Sequence, residues 1–139
     1  DLQHNAEEPL GLVINYGDKY RVLYATDTSH LAYNFSGLTH IIIECNYCLS
    51  TLNQNVESGR INRQLKNRIL ATHMGVETLI PWLNMLTLDS VEAVYLVHMS
   101  ASNGDPESMR LAVERATGIK THLAEAGQVY DLDALKVNF

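Results

Sequence analysis

Hydrophobic positions along the chain follow two periods, and the changes between them mark out the elements. Leu10 to Asn15 (LGLVIN) and Tyr20 to Thr26 (YRVLYAT) read as strands, and the turn Tyr16-Gly17-Asp18-Lys19 between them makes the pair a hairpin. Thr39 to Cys45 (THIIIEC) carries an unbroken isoleucine run, the pattern of a strand covered on both faces. Asn46 to Ser58 is polar without a period and reads as a loop. Arg60 to Ala71 sets Ile61, Leu65 and Ile69 on one helical face, and Val76 to Leu86 does the same with Val76, Leu79, Ile80 and Leu83. Pro81 should kink that second helix or mark its true first turn. Val94 to His98 (VYLVH) is a further buried strand. A helix start follows: Asp105 as N-cap, Pro106 at the first helical position and Glu107 in the first turn. Its apolar stripe is Met109, Ala112, Val113 and Ala116, and Gly118 stops it. Two short strands, Lys120 to Leu123 and Gln128 to Leu132, complete the order. The sum is an α/β layer with a mixed sheet and helices on one face.

Composition narrows the picture. At 139 residues, 46% hydrophobic and 19% charged, the chain has the makings of one domain over residues 1–139 with a real core. The apolar runs have the length of buried strands and fall short of the ~18 residues of a membrane span. Net charge is −6, which counts against binding nucleic acid through its phosphates alone. Four of the ten basic residues, Arg60, Arg63, Lys66 and Arg68, nevertheless fall in one segment. That run reads as a solvated helix face before it reads as a phosphate-binding patch. The one cysteine pair, Cys45 and Cys48, reads as reduced structural thiols of a cytosolic protein. The start at Asp1, close to a candidate ligand, suggests a domain cut from a longer protein.

Chemistry-bearing residues fall where strands end, which is where rigid geometry meets exposed loops. Asp27 ends YRVLYAT, Glu44 ends THIIIE, His98 ends VYLVH, His4 precedes the first strand, and His73 joins two helices. A lone histidine or aspartate at such a place is commonly a structural or turn residue. Glu44 stands apart, because a carboxylate after three isoleucines should be partly buried and so needs a partner. His30, His40 and His122 have no comparable placement and read as structural or exposed.

Taken together, these segments resemble a known superfamily. His4-Asn5-Ala6-Glu7-Glu8-Pro9-Leu10-Gly11 is similar to the H-D-A-x-x-P-x-G segment of metallo-β-lactamase-fold hydrolases, in the branch of tRNase Z and DNA-processing exonucleases. Thr26-Asp27-Thr28 resembles that superfamily's T-D or G-D-T motif, and Ile41 to Asn46 its L-x-x-E-x-x stretch. Thr72-His73-Met74-Gly75 resembles H-[LMS]-[ST], and Leu96 to Asn103 resembles L-x-H-[LFM]-S-x-x-N. The resemblance implies the C-terminal half of an αββα sandwich. It implies that His4, Asp27 and His98 are metal ligands in a two-zinc site, where manganese could substitute. It also implies that Glu44 orients His73 and favours its protonated form, so that His73 protonates a leaving alkoxide. The implied activity is a phosphodiesterase or nuclease acting on nucleotides or nucleic acid.

The chain departs from the pattern in three places. The signature H-x-H-x-D-H is absent, Asn5 replaces an aspartate, and Gly75 stands where Ser or Thr is common, although glycine is an acceptable N-cap. Without the missing cluster, His4, Asp27 and His98 are expected to hold at most one ion. Half a sandwich should also leave an apolar sheet face uncovered. A partner is therefore expected, either the missing N-terminal half or a second copy in a homodimer. The alternative function is a half-domain without activity that serves as a binding or assembly module.

Overall fold

The computed structural model describes residues 11–132. Five strands form one mixed sheet in the order β1-β2-β3-β4-β5: β1 (Leu12–Tyr16), β2 (Tyr20–Ala25), β3 (His40–Glu44), β4 (Ala93–Val97) and β5 (Lys120–Leu123). The hairpin β1–β2 is antiparallel and closes with Tyr16 opposite Tyr20, while β2 to β5 run parallel. Gly17 supplies the left-handed backbone (φ +53°) that this three-residue loop uses.

Register decides which side chains meet. Leu23, Ile41 and Val94 lie side by side across the sheet, as do Ala25, Ile43 and Leu96. All six are fully or almost fully buried. They pack against α3 (Val76–Met85) through Val76, Leu79, Trp82 and Leu83, and against α4 (Pro106–Thr117) through Met109 and Val113. Helices therefore cover this face, and most of the apolar surface buried on folding lies here.

The other face carries an aromatic ladder. Tyr20, His40, Tyr95 and His122 follow one another with ring centroids 5.1–6.4 Å apart, and Tyr130 meets Tyr95 edge-on at 5.3 Å. The ladder buries His40 and Tyr95, but toward the β1 edge the face opens. Leu12 and Ile14 are each 51% exposed, Tyr16 73% and Tyr24 37%.

Three expectations are corrected. Asn46 to Ser58 is not a loop, because Leu49–Glu57 forms helix α1. Its start carries no local signal: the N-cap Cys48 makes no side-chain cap, and the Leu49 N–H donates instead to Glu77 Oε1 at 2.9 Å, 28 residues away. Its buried face also includes the polar Asn55, which donates to Ser102 O (2.8 Å) and Asn103 Oδ1 (3.1 Å). Gln128 to Leu132 forms no strand. Val129 is 95% exposed, and Tyr130 instead folds back so that its hydroxyl donates to Leu123 O. Helix α2 (Arg63–Thr72) begins later than expected, where the Asn62 side chain accepts the Leu65 N–H. Its stripe is only partly inward, with Ile69 buried and Leu65 42% exposed.

Helix α3 runs through Pro81, five residues past its start. Proline's missing N–H leaves the Glu77 carbonyl without its intrahelical donor. No helix among the described residues is long and apolar enough to cross a membrane. Both cysteines are free thiols, and burial, helped by the Glu77 and Glu44 carboxylates, pushes the Cys45 thiol far above its ordinary range.

Candidate metal centre

The parallel strands deliver their C-terminal ends to one edge of the sheet, where ligand sites of α/β folds gather. Asp27 lies two residues past β2, Glu44 closes β3, and His98 directly follows β4. His73 is the C-cap of α2. Asp27 and His98 both have φ +54°, and no other described non-glycine residue has a positive φ. Such backbone stores about 1–3 kcal/mol each and persists only where surroundings enforce it.

Glu44 is the hub. It is wholly buried, yet its carboxylate accepts three hydrogen bonds. Oε1 accepts from His73 Nδ1 and from His98 Nδ1, each at 2.8 Å, and Oε2 accepts the Thr28 N–H at 2.7 Å. A carboxylate only accepts, so both rings must present Nδ1–H, which leaves the Nε2 lone pair as the one that can bind a metal. The two rings stand 5.1 Å apart between centroids. Asp27 Oδ1 lies 3.5 Å from His98 Nδ1 and 3.9 Å from His73 Nδ1, beyond hydrogen-bond reach, which sets its carboxylate beside the two rings that Glu44 holds.

Asp27, His73 and His98 form a group that could hold a metal ion, each offering one ligand atom within 4.8 Å of the others. Two imidazoles and a carboxylate suit zinc, and three protein ligands leave room for a water or substrate oxygen. The donor chemistry and the shared Glu44 support thus fit a bound metal ion.

Two of the expected residues need separate comment. His4 lies outside the described residues. His73, expected to act only with Glu44, sits in the same group as Asp27 and His98, so its position also fits a ligand.

The sequence did not single out Asn46. Its side chain donates to His98 O (2.8 Å), its N–H to Met74 O (2.7 Å), and its carbonyl accepts the Ser100 N–H (2.9 Å). One buried asparagine therefore ties the backbone at His98 to the residue after His73. The signal available was a polar residue two positions past a buried strand end.

Gly75, the N-cap of α3, also has a local reason. A Cβ there would fall 2.7 Å from Tyr47 Cζ and 2.9 Å from Cδ2, and closer still to Cε2. The buried Tyr47 ring, rather than the capping role, demands glycine.

The centre opens into a cavity of about 510 Å³ lined by Asp27, Asn46, Arg68, Thr72, His73 and His98, among others. In comparison with known proteins, the chain matches no family model and no curated protein.

Proposed function

We propose that the chain is the C-terminal part of a metal-dependent hydrolase, a phosphodiesterase acting on nucleotides or nucleic acid, with zinc as its ion. One observation carries this reading: a single buried glutamate holds two imidazoles by Nδ1, each at 2.8 Å, beside an aspartate at a strand end. That support orients imidazoles as ligands and acids alike. Zinc bound there would supply Lewis acidity and water activation. Asp27 and His98 hold it in this reading, and a second ion would need donors beyond the described residues, His4 among them.

His73 works as the acid. With Nδ1–H donating to Glu44, its protonated ring carries a second proton on Nε2. That N–H bond breaks as the leaving alkoxide gains the proton, and the ring returns to its neutral Nδ1–H form. An alkoxide benefits from this far more than a good leaving group does, which is why phosphodiesters with ribose-like leaving groups are favoured.

A second reading makes His73 a third ligand, supported by its place in the group with Asp27 and His98. Leaving-group dependence separates the two. As an acid, H73A should keep its zinc, hydrolyse the p-nitrophenyl ester of thymidine 5′-phosphate nearly normally, and lose about 10²–10⁴-fold on a thymidine dinucleotide. As a ligand, H73A should lose zinc and both activities, as H98A should in either case. The chain alone is expected to be inactive, so both activities are read with the missing H-x-H-x-D-H half supplied. A zinc-loaded assembly of that kind that hydrolyses neither substrate would refute the hydrolase and leave a binding or assembly module. The open part of the far sheet face, with Leu12, Ile14, Tyr16 and Tyr24, would in this reading be covered by a second apolar sheet. Either an N-terminal half or another copy of the chain could supply it.

A further inference from the structure

The basic run Arg60 to Arg68 is not one patch in three dimensions. On α2 successive residues turn by 100°, which sets Arg63 and Lys66 roughly 140–160° around the helix from Arg68. The cavities agree with that geometry. Arg63 and Lys66 line a groove with Asn53 and Glu57 of α1, where Lys66 Nζ donates to Asn53 Oδ1 at 2.6 Å. Arg68 lies on the other side and lines the cavity of the candidate metal centre with Asp27, His73 and His98.

We propose that Arg68 receives the anionic phosphate of the substrate, and that this single anchor restricts the site to a short phosphodiester of one or two nucleotides. The proposal rests on the phosphodiesterase reading above. Among the described residues the Arg68 guanidinium makes no ion pair or hydrogen bond, whereas Arg110 on α4 is engaged by Glu107 and Glu114. Its place on the helix is fixed. Thr72 Oγ1 donates to Arg68 O at 2.8 Å, and Ile69 and Thr72 of the same turn line the same wall. A guanidinium matches a phosphate with paired donors, which an ammonium does not. It is also the only arginine or lysine among the described residues lining that cavity. A long strand would need a track of cations leading away from the centre, and the next ones face another groove. The volume, about 510 Å³, is that of a small-molecule site.

Binding tests this apart from turnover. The probe is the p-nitrophenyl ester of thymidine 5′-phosphate, titrated calorimetrically into the zinc-loaded and the metal-free chain. R68A should weaken binding about tenfold or more in both forms, and R68K should restore only part of it. Zinc content should not change. For wild type, the slope of log K against log salt with a twenty-residue oligothymidine should be near −0.7, the value for one phosphate contact on a single strand. Unchanged affinity in R68A, or no binding by wild type, overturns the anchor. A slope of several units overturns the restriction to short substrates. Arg68-dependent binding by the chain, with no hydrolysis once the missing half is supplied, would instead sustain the anchor and refute the hydrolase.

Discussion

Replacing Glu44 by glutamine keeps its size and removes its charge, which makes the hub's role measurable. The carboxylate accepts three hydrogen bonds, two on Oε1 from the histidine rings and one on Oε2 from the Thr28 N–H. Glutamine offers one acceptor oxygen and one donor nitrogen. If the oxygen faces the rings, the amide NH₂ meets the Thr28 N–H, and a buried donor loses its partner at a cost of about 1–3 kcal/mol. If the oxygen faces Thr28, the NH₂ meets both Nδ1 atoms. Each ring must then move its proton to Nε2, and the lone pairs available for a metal disappear. Both orientations also exchange charge-assisted bonds, worth about 1.5–3 kcal/mol each, for neutral ones worth about 0.5–1.5 kcal/mol.

The expected result for E44Q is a loss of about 2–4 kcal/mol of stability in the metal-free chain, read by equilibrium urea unfolding. Zinc affinity should fall by at least ten- to a hundredfold, read by competition with a chromophoric chelator. Nitrogen-15 spectra of the imidazoles report which tautomer each ring adopts, and so which amide orientation prevails. Stability within about 0.5 kcal/mol of wild type, with zinc affinity unchanged, would refute the argument. It would mean that Glu44 does not hold the two rings.

Two further perturbations test other parts of the molecule. G75S should destabilise the chain by about 1–3 kcal/mol through overpacking against Tyr47; combining it with Y47A should recover part of the loss attributed to the clash, and strict additivity in the urea midpoints would sink that explanation. If a second copy covers the open sheet face, sedimentation equilibrium should show a dimer, and I14D should dissociate it while leaving the zinc centre intact; a monodisperse, cooperatively folding wild-type monomer would refute the expected partner.

What was legible in the sequence depended on whether its cause was local. β3 announced itself because a strand buried on both faces needs apolar residues without interruption, and Ile41 to Ile43 supply them. Asp105-Pro106-Glu107 marked α4 because a cap and a preset φ act within a few residues. Helix α1 stayed hidden because its start is capped by Glu77 of another helix and its inward face includes an asparagine that holds the loop after β4. The basic run divides for a related reason. Sequence places Arg63, Lys66 and Arg68 together, while helical geometry sends them to different surfaces. At the centre, a buried Glu44 in want of a partner could be inferred from polarity alone. That His98 shares the same oxygen with His73 could not, because 54 residues and a three-helix crossover separate it from Glu44.

The left-handed backbone at Asp27 and His98 explains why the site needs this amount of support. Neither residue has glycine's freedom at φ +54°, so each conformation must be held by contacts made elsewhere. For His98 those contacts are the Glu44 bond to its ring and the Asn46 bond to its carbonyl, both from the end of β3. Beside Asp27, Glu44 accepts the N–H of the following residue, Thr28, and so fixes the chain just beyond the turn. The same glutamate that sets the tautomers of the two rings therefore also restrains the backbone on either side of them. Strain and chemistry meet in one buried carboxylate, which is why neutralising it should damage folding and metal affinity together.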